Sequence, residues 1–483
     1  MSSDPAVISF DLVSNMTYMA SVASGGPPRD VILEWTIKQN YKTVIYFRQV
    51  YLLAKRAGFE YSRAFQMVAR KAKAETMKTL LLRFAGAISS GYPESDFLRE
   101  EAKVQREQFI NGYYRSLETM TKWGDAYAAL LVSVSLVVVV AMITTMLSAI
   151  ADLFVIALIM AMFMVTGFGV YIIYRTAPYE VKAYRSRKGP KTRWLALRLF
   201  YILVPIGVLL GIYYGFFYGM GATMIIIGLS LAPSGVLAYM DDRMLNKLDQ
   251  DTPTFIRSLG NVSAALGATV ATALSKLDQR SMGNLEPYIN RLQTRLKGQI
   301  APDKCWEAFR DEVGCELMNR TTHMFADGIA LGGPPDKVGA LAAEYATDAA
   351  LMRARRNVSA APFAYLTIPL HFAMTGLMVF ILEIIKAFNS KIAEAIAEME
   401  AQSGGTGLAS LPDLPMFNVQ DTGMLSVLTM IALLSFTVAN AFTPKFAMGG
   451  HPLNTCLFGS ITCVMTGFNL LIVPPIAGGL LAG

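Results

Sequence analysis

Charged side chains are absent from two long stretches of this chain. No Asp, Glu, Lys or Arg occurs from Leu199 to Met240, and none occurs from Leu453 to Gly483. Of all 483 residues, 16% are charged and 53% are hydrophobic, whereas typical soluble domains carry about a quarter charged residues. The composition therefore excludes an ordinary soluble protein and indicates one that lies largely in a membrane.

Cysteine and histidine are also scarce, with four and three residues respectively. The four cysteines form no disulfide framework. Cys456 and Cys463 lie seven residues apart in an apolar run, so we expect them to be small packing residues. The N-terminus shows no basic segment followed by an apolar run and a cleavage site, and we therefore expect no removable signal peptide.

One stretch nevertheless brings possible metal ligands close together in the sequence. Cys305, Cys315 and His323 lie within residues 304–328, which contain no proline and predict one helix, bent at most at Gly314. Along such a helix the two cysteines would be about 15 Å apart, whereas zinc binds its ligands at about 2.0–2.3 Å. Unless the helix breaks, the sequence predicts a packed helix and no metal site. The expected buried stripe consists of Trp306, Phe309, Val313 and Leu317.

Seven segments contain the roughly 20 apolar residues that a membrane-spanning helix needs. The charge-free run from Leu199 divides at Gly215, Gly219 and Gly221 into two of them, and the last segment is the least regular because it contains two adjacent prolines. The predicted spans start at Ala126 and Leu153, cover 199–217 and 222–240, start again at Pro362, and end with 424–442 and 453–481.

The basic residues predict how the chain is oriented. With residues 1–125 in the cytoplasm, seven spans place nearly all 43 Lys and Arg residues on the cytoplasmic side. The segment "RTAPYEVKAYRSRKGPKTRW" alone carries seven basic residues and one glutamate. This is the positive-inside pattern of a multi-pass cell-membrane protein, with a cytoplasmic N-terminus and an extracytoplasmic C-terminus. The net charge of +7 then serves orientation and contact with anionic lipid, and we expect no nucleic-acid partner.

Two charge-rich segments predict helical domains with a shared pattern. Residues 47–91 and 255–298 are nearly equal in length, and each has a glycine near its middle (Gly58 and Gly267) and an amphipathic helix that ends in glycine. We predict an all-α polytopic membrane protein with about seven transmembrane helices and two duplicated cytoplasmic helical-bundle domains. The predicted cytoplasmic parts are an N-terminal segment (1–40), the two helical domains (41–125 and 241–358) and a basic loop (176–198). The spans are predicted within 126–175, 199–240, 359–385 and 422–483. Residues 386–421 are predicted to form an extracytoplasmic loop.

Four stretches carry a resemblance to a known family. They are "FAGAISSGYPESDFLREEA" (84–102), "CWEAFRDEVGCEL" (305–317), "MFADGIALGGPPDKVG" (324–339) and "LMRARRNVSAAPFAYLTIPLHF" (351–372). With their order of helical domain, spans, helical domain and spans, the residues from about 45 to 385 resemble the type II secretion F family of membrane platform proteins, in particular its archaellum (FlaJ/ArlJ) class. A platform of another archaeal type IV or Tad-type pilus system is the alternative.

The resemblance implies a platform that is not an enzyme, needs no cofactor and works as a homodimer. It implies that a cytoplasmic hexameric assembly ATPase is coupled to the insertion of filament subunits, archaellins or pilins, and to rotation of the filament. Basic residues that contact either this ATPase or lipid are expected among Arg70, Lys71, Lys73, Lys78, Arg185, Arg187, Lys188, Lys191, Arg193, Arg353, Arg355 and Arg356. A turn formed by Gly332, Gly333, Pro334, Pro335 and Asp336 is either a hairpin turn inside the bundle or an exposed docking turn.

Signals for other classes of protein are weaker. "RKGPKTR" lacks the upstream glycine of a phosphate-binding loop, and Pro190 separates its glycine from its lysine. A membrane transporter is the alternative from another class of protein. No span centre holds an Asp, Glu, Lys or Arg, which disfavours an ion-coupled transporter. His371 lies within a span and is either a hydrogen-bonded packing residue or a relay. A membrane enzyme that uses His323 or His371 is a third alternative.

Overall fold

The computed structural model describes residues 5–147, 152–184, 186, 189–402 and 422–482. Apart from an isolated bridge between Ala183 and Cys315, these residues contain helices and loops and no strand. One 3-10 helix spans Gln279–Leu285. The α-helices are α1 (Pro5–Ala23), α2 (Arg29–Thr36), α3 (Val44–Lys55), α4 (Tyr61–Lys71), α5 (Glu75–Ser89), α6 (Glu94–Leu147), α7 (Asp152–Thr176), α8 (Lys191–Tyr218), α9 (Met220–Leu266), α10 (Val270–Lys276), α11 (Glu286–Lys297), α12 (Pro302–Val313), α13 (Glu316–Ala330), α14 (Pro335–Gln402), α15 (Thr422–Met448) and α16 (Asn454–Ala482).

Seven of the described helices are long and apolar enough to cross a membrane, namely α6, α7, α8, α9, α14, α15 and α16. They match the seven predicted spans, so the all-α polytopic class is confirmed. α8 and α9 are separated at Gly219, whose φ of +82° is outside the right-handed helical region. α16 continues through Pro474 and Pro475, where the sequence left a possible break.

The chain divides into two compact units. Unit 1 comprises Met1–Leu117, Pro178–Lys191 and Met240–Arg356, and unit 2 comprises Glu118–Ala177, Thr192–Tyr239 and Asn357–Gly483. The sequence predicts an N-terminal segment and two separate helical domains, whereas the structure gathers all three into unit 1. α6, α9 and α14 each contribute residues to both units.

α1 explains why unit 1 has a single core. Every side chain from Phe10 to Ala23 is buried, including the polar ones. Ser14 Oγ and Tyr345 Oη are 2.8 Å apart, and Asn15 donates to Thr43 Oγ1 at 3.1 Å. α1 therefore contacts both the Met1–Leu117 and the Met240–Arg356 parts of unit 1. A helix that is buried on all sides belongs to the centre of a fold.

The repeated sequence pattern has a structural counterpart. Gly58 and Gly267 follow α3 and α9 and both have positive φ, +70° and +55°. The ends of α5 and α11 differ, because Gly91 takes positive φ after α5 whereas Gln299, and not the predicted Gly298, does so after α11. Both segments run through three α-helices with a positive-φ glycine after the first, and the second segment adds the 3-10 helix Gln279–Leu285. Their origin by duplication stays a prediction.

The single helix predicted for 304–328 is wrong. Gly314 has φ +64° and ends α12, and Cys315 is extended before α13 begins. The break occurs because the backbone at Cys315 pairs with Ala183 from a distant part of the chain. The predicted stripe is nevertheless buried, with Trp306 and Phe309 in ring contact at 5.8 Å.

Small residues let the helices of unit 2 approach each other closely. A Cβ on Gly235 of α9 would lie 2.3 Å from the backbone nitrogen of Leu457 in α16. A Cβ on Gly207 of α8 would lie 2.2 Å from the side chain of Ser230 in α9. Such close contacts are typical of helix packing in membranes, where small residues allow the van der Waals packing that holds helices together.

Candidate functional site

The connection between α7 and α8 is the centre of the candidate site. We call residues 178–184 the inter-span segment. Its backbone pairs with the start of α13, because Tyr184 N donates to Gly314 O at 3.0 Å and Glu316 N donates to Lys182 O at 2.8 Å. The sequence predicts an ordinary basic loop here, whereas the structure makes this segment an integral part of unit 1.

Two arginines of α14 hold the same segment from another side. Arg356 Nη1 donates to Pro178 O at 2.9 Å, and Arg353 Nη2 donates to Val181 O at 2.8 Å. Both side chains are buried. The inter-span segment is therefore held by α13 and α14 through hydrogen bonds to its backbone, and two of these bonds come from arginines that also lie beside the carboxylate of Glu180.

The buried carboxylate of Glu180 is surrounded by positive charge. Arg356 Nη1 lies 3.4 Å away, Lys182 Nζ 3.8 Å and Arg353 Nε 3.9 Å, and Tyr113 donates a hydrogen bond at 3.3 Å. Burial alone would raise the pKa of Glu180, but the charges of Arg356, Lys182 and Arg353 outweigh it and hold that pKa below its usual value. Glu180 is thus ionised in the folded protein at neutral pH.

Asp249 of α9 extends the cluster. It forms a close ion pair with Arg353 and accepts a hydrogen bond from the thiol of Cys315. Burial raises the pKa of Cys315 well above its usual value, so the thiol stays protonated and remains a donor. Lys182 Nζ also lies 3.5 Å from Asp242. We call the whole set the ion clamp, and its three carboxylates and three cations are Glu180, Asp242, Asp249, Lys182, Arg353 and Arg356.

A second buried charge cluster joins α1 to α13. Arg320 contacts Asp11 Oδ1 at 2.9 Å and Glu316 Oε1 at 2.8 Å. Its guanidinium also lies over the rings of Phe10 and Tyr41, at 4.4 and 4.9 Å from their centroids. The two carboxylates, together with Tyr345 and Tyr41, hold the pKa of Arg320 above its usual value although burial acts in the opposite direction.

A cleft of about 770 Å³ opens beside these clusters. Its walls are the inter-span segment, α13 and the loop after α2, and its lining includes Lys38, Lys42, Asn319 and His323. The backbone N–H of Lys42 donates to Asp11 Oδ2 at 2.8 Å, and the Oδ1 atom of Asn319 is buried without a hydrogen bond among the described residues. The volume is in the range of small-molecule sites. The lining also includes Arg320 and the carboxylates of Asp11 and Glu316, which pair with it, so the cleft carries nearly balanced charge.

The structure separates the predicted basic contacts into three groups. Arg353 and Arg356 belong to the ion clamp, so they do not form the solvated or lipid-facing surface that the sequence predicts for them. Arg185, Arg187 and Lys188 lie outside the described residues. Exposed or half-buried positions are occupied by Arg70, Lys71, Lys73, Lys78, Lys191, Arg193 and Arg355. Of these, Lys78 is paired with Glu75 at 3.4 Å, and Arg355 lies over the ring of Tyr114 at 4.3 Å.

The predicted docking turn closes α13. Gly332 has φ +86°, its N–H donates to Ile329 O, and the N–H of Gly333 donates to Gly328 O, both at 2.9 Å. This pair of bonds is the Schellman arrangement that ends many helices. Gly333 is buried, Pro334 and Pro335 are half-buried, and Gly332 and Asp336 are exposed.

The possible metal ligands of the sequence have separate partners. Cys305 Sγ lies 3.5 Å from Ile300 O, Cys315 bonds to Asp249, and His323 Nδ1 lies 3.5 Å from Asp327. Within the described parts of the chain, no group of three or more His, Cys, Asp or Glu side chains could hold a metal ion.

In unit 2, His371 lies in a network of neutral groups. Its Nδ1 is 3.1 Å from Asn440 Nδ2, and its Nε2 is 3.2 Å from Thr462 O and 2.9 Å from Thr466 Oγ1. If Nδ1 accepts from the amide, Nε2 carries the proton and donates to the other two atoms. Both nitrogens are thus engaged by α15 and α16, as a packing histidine requires.

Sequence reasoning did not identify the ion clamp, although one signal was present. Glu180 is the single acid in a segment that otherwise carries seven basic residues. A lone acid among cations points to a specific ion pair, but its partners Arg353 and Arg356 are far along the chain and resemble ordinary basic residues that flank a span.

Comparisons with known proteins identify two curated relatives. The chain is 23% identical over 301 residues to the Flagella accessory protein J of Methanocaldococcus jannaschii, and 23% identical over 305 residues to the Flagella accessory protein J of Methanococcus voltae. Each match covers 59% of this chain and 53% of the relative, so the chain spans about half the length of the curated relatives it matches. No protein-family model and no solved structure matches. These relatives confirm the predicted resemblance to the archaellum class, and the wider type II secretion F assignment stays a prediction.

Proposed function

We propose that this protein is an archaellum accessory protein that serves as the membrane platform of the filament machine. The observation that carries the proposal is the similarity to two proteins named Flagella accessory protein J. Seven helices that can cross a membrane and a separate helical unit suit a platform, which must be anchored in the membrane and offer a surface to other components. Unit 1 faces the cytoplasm, in agreement with the positive-inside rule.

The role of the platform is to pass the work of a cytoplasmic assembly ATPase to filament subunits in the membrane. A basic face at the end of α4 is the docking surface proposed for this ATPase. Arg70, Lys71 and Lys73 are all exposed, and among the described residues none has an acidic partner. Three cations within four residues attract an acidic surface and accelerate its association.

A deletion strain tests the function as a whole. Without the gene, cells should lack filaments while the filament subunits are still made and processed, and the wild-type gene should restore assembly. Electron microscopy of the cells and mass spectrometry of the subunits measure the two outcomes. Normal filaments in the deletion strain would contradict the proposal, and loss of a different pilus would assign the platform to another type IV system.

The docking face is tested with the full-length protein in detergent. The triple variant Arg70→Glu, Lys71→Glu and Lys73→Glu should no longer co-purify with the assembly ATPase, because three attractive contacts become repulsive. A matched control is Arg280→Glu, Lys297→Glu and Lys304→Glu, which makes the same charge change at three other exposed positions of unit 1. Equal loss of the ATPase in both variants would show that net charge, and not this face, is responsible.

A further inference from the structure

The ion clamp requires an explanation beyond stability. Six charged side chains are withdrawn from water around a short connection between two spans. Buried ion pairs are weak as a source of stability, because the cost of removing charges from water is similar to what their attraction returns, and they specify geometry instead. The clamp joins the inter-span segment to α9 and α14, from which its other charged residues come.

The segment is also placed where it can act on the membrane helices. α7 ends at Thr176, so Ala177 alone separates it from the segment, and α8 begins at Lys191, so six residues lie between it and the end of the segment. Whatever moves the segment must move the end of α7, because one residue joins them. A segment held by backbone bonds at Pro178, Val181, Lys182 and Tyr184 has little freedom to move alone.

We infer that the inter-span segment is a rigid coupling element, held on unit 1 by the ion clamp, through which movements of unit 1 are transmitted to α7 and α8. This inference rests on the proposed function and adds the part of the chain that carries the movement. It requires that the segment stays attached to unit 1 throughout the assembly cycle. Glu180 is then a positioning residue whose loss uncouples the spans while unit 1 remains folded.

The bridge between Ala183 and Cys315 supplies a direct test. The hydrogen bonds on either side of this pair are made by its neighbours, so the pair itself is not hydrogen-bonded. The α-carbons of such antiparallel pairs are about 4.5 Å apart, which is within the about 4.4–6.8 Å that disulfides span. An Ala183→Cys substitution thus places a cysteine where it can bond to native Cys315 and lock the segment on unit 1.

Three strains, each complementing the gene deletion, are compared under oxidising and reducing conditions. Oxidised Ala183→Cys should form the disulfide, seen by mass spectrometry, and should still assemble filaments. Glu180→Gln should reach the membrane in normal amounts but assemble no filaments. The double variant Glu180→Gln with Ala183→Cys should assemble filaments when oxidised and lose them when reduced, because the disulfide replaces the ion clamp.

Each outcome decides the inference. If the oxidised single variant loses its filaments and regains them on reduction, the segment must detach during the cycle and the rigid coupling is wrong. If Glu180→Gln assembles filaments normally, or if the disulfide fails to restore filaments in the double variant, the ion clamp does not transmit movements of unit 1 to the spans. A Cys315→Ser version of each cysteine strain is the matched control, since it cannot form the bond. The deletion strain and its complementation by the wild-type gene test the proposed function separately, because neither strain alters the ion clamp.

Discussion

Unit 1 and unit 2 bury different kinds of polar group. Every charged side chain that is buried among the described residues lies in unit 1, including Arg320, Arg353 and Asp249. The buried polar groups of unit 2 are hydroxyls, amides and the ring of His371, and its helices approach each other through glycine. In unit 1 buried ion pairs join different helices, as Asp11 does with Arg320 and Asp249 with Arg353, whereas spans in lipid use mostly neutral hydrogen bonds and close packing. Substitutions should therefore lower the free energy of unfolding through different causes, namely loss of a charge partner in unit 1 and loss of close packing or a neutral hydrogen bond in unit 2.

The largest effect is expected from breaking a buried ion pair of unit 1. Arg320→Met removes the positive charge between Asp11 and Glu316, whose side chains are 8% and 14% exposed. Two carboxylates left without a partner should lower the free energy of unfolding by about 3–5 kcal/mol. Urea unfolding followed by the fluorescence of tryptophan, including buried Trp306, measures the loss.

An exposed pair in the same unit is the control for this substitution. Arg99 is 61% exposed and lies 3.0 Å from Asp96. Arg99→Met should change the free energy of unfolding by no more than about 0.5 kcal/mol, as surface substitutions do. If the two arginines gave equal losses, burial of charge would not be what distinguishes unit 1.

The next effect concerns the close packing of unit 2. Gly235→Ala forces a Cβ to within 2.3 Å of the Leu457 backbone nitrogen, so α9 and α16 must separate. Overpacking of this kind should cost about 1–3 kcal/mol, measured by SDS-induced unfolding followed by circular dichroism. Gly167→Ala is the matched control, because nothing lies within 4 Å of a Cβ at that position of α7. It should be neutral or stabilising by up to about 1 kcal/mol.

The same comparison explains which features the sequence predicts. The seven spans follow from runs of apolar residues, and the division at Gly219 follows from local backbone preference, so both are visible in a single sequence. The burial of Arg353 and Arg356 depends on Glu180 and Asp249, which lie more than a hundred residues away in the chain. Basic residues beside a span are usually exposed, and only the fold shows that these two are not.

The break between α12 and α13 could not be predicted for a similar reason. The apolar stripe continues from Trp306 to Leu317 as it would in one helix, and Gly314 is compatible with a helix interior at a modest cost. Pairing of Cys315 with Ala183 decides the outcome, and this pairing joins two parts of the chain that share no sequence signal. α1 was missed as a core element because its serines, asparagine and threonine find partners only in the folded unit.

The smallest effect is expected from the hydrogen-bond network of unit 2. His371→Leu leaves Asn440 and Thr466 without their shared partner but leaves no charge unpaired. Hydrogen bonds between membrane helices contribute about 0.6 kcal/mol on average and up to about 1.7 kcal/mol, so the loss in SDS-induced unfolding should lie in that range.

Ser133→Ala is the control, since this exposed hydroxyl bonds to the carbonyl of Ala129 in its own helix. A loss as large as that of Arg320→Met would mean that unit 2 depends on a buried polar group as strongly as unit 1 does. Loss of filaments by His371→Leu at unchanged stability would instead indicate a relay at this position, because a packing residue acts only through the fold.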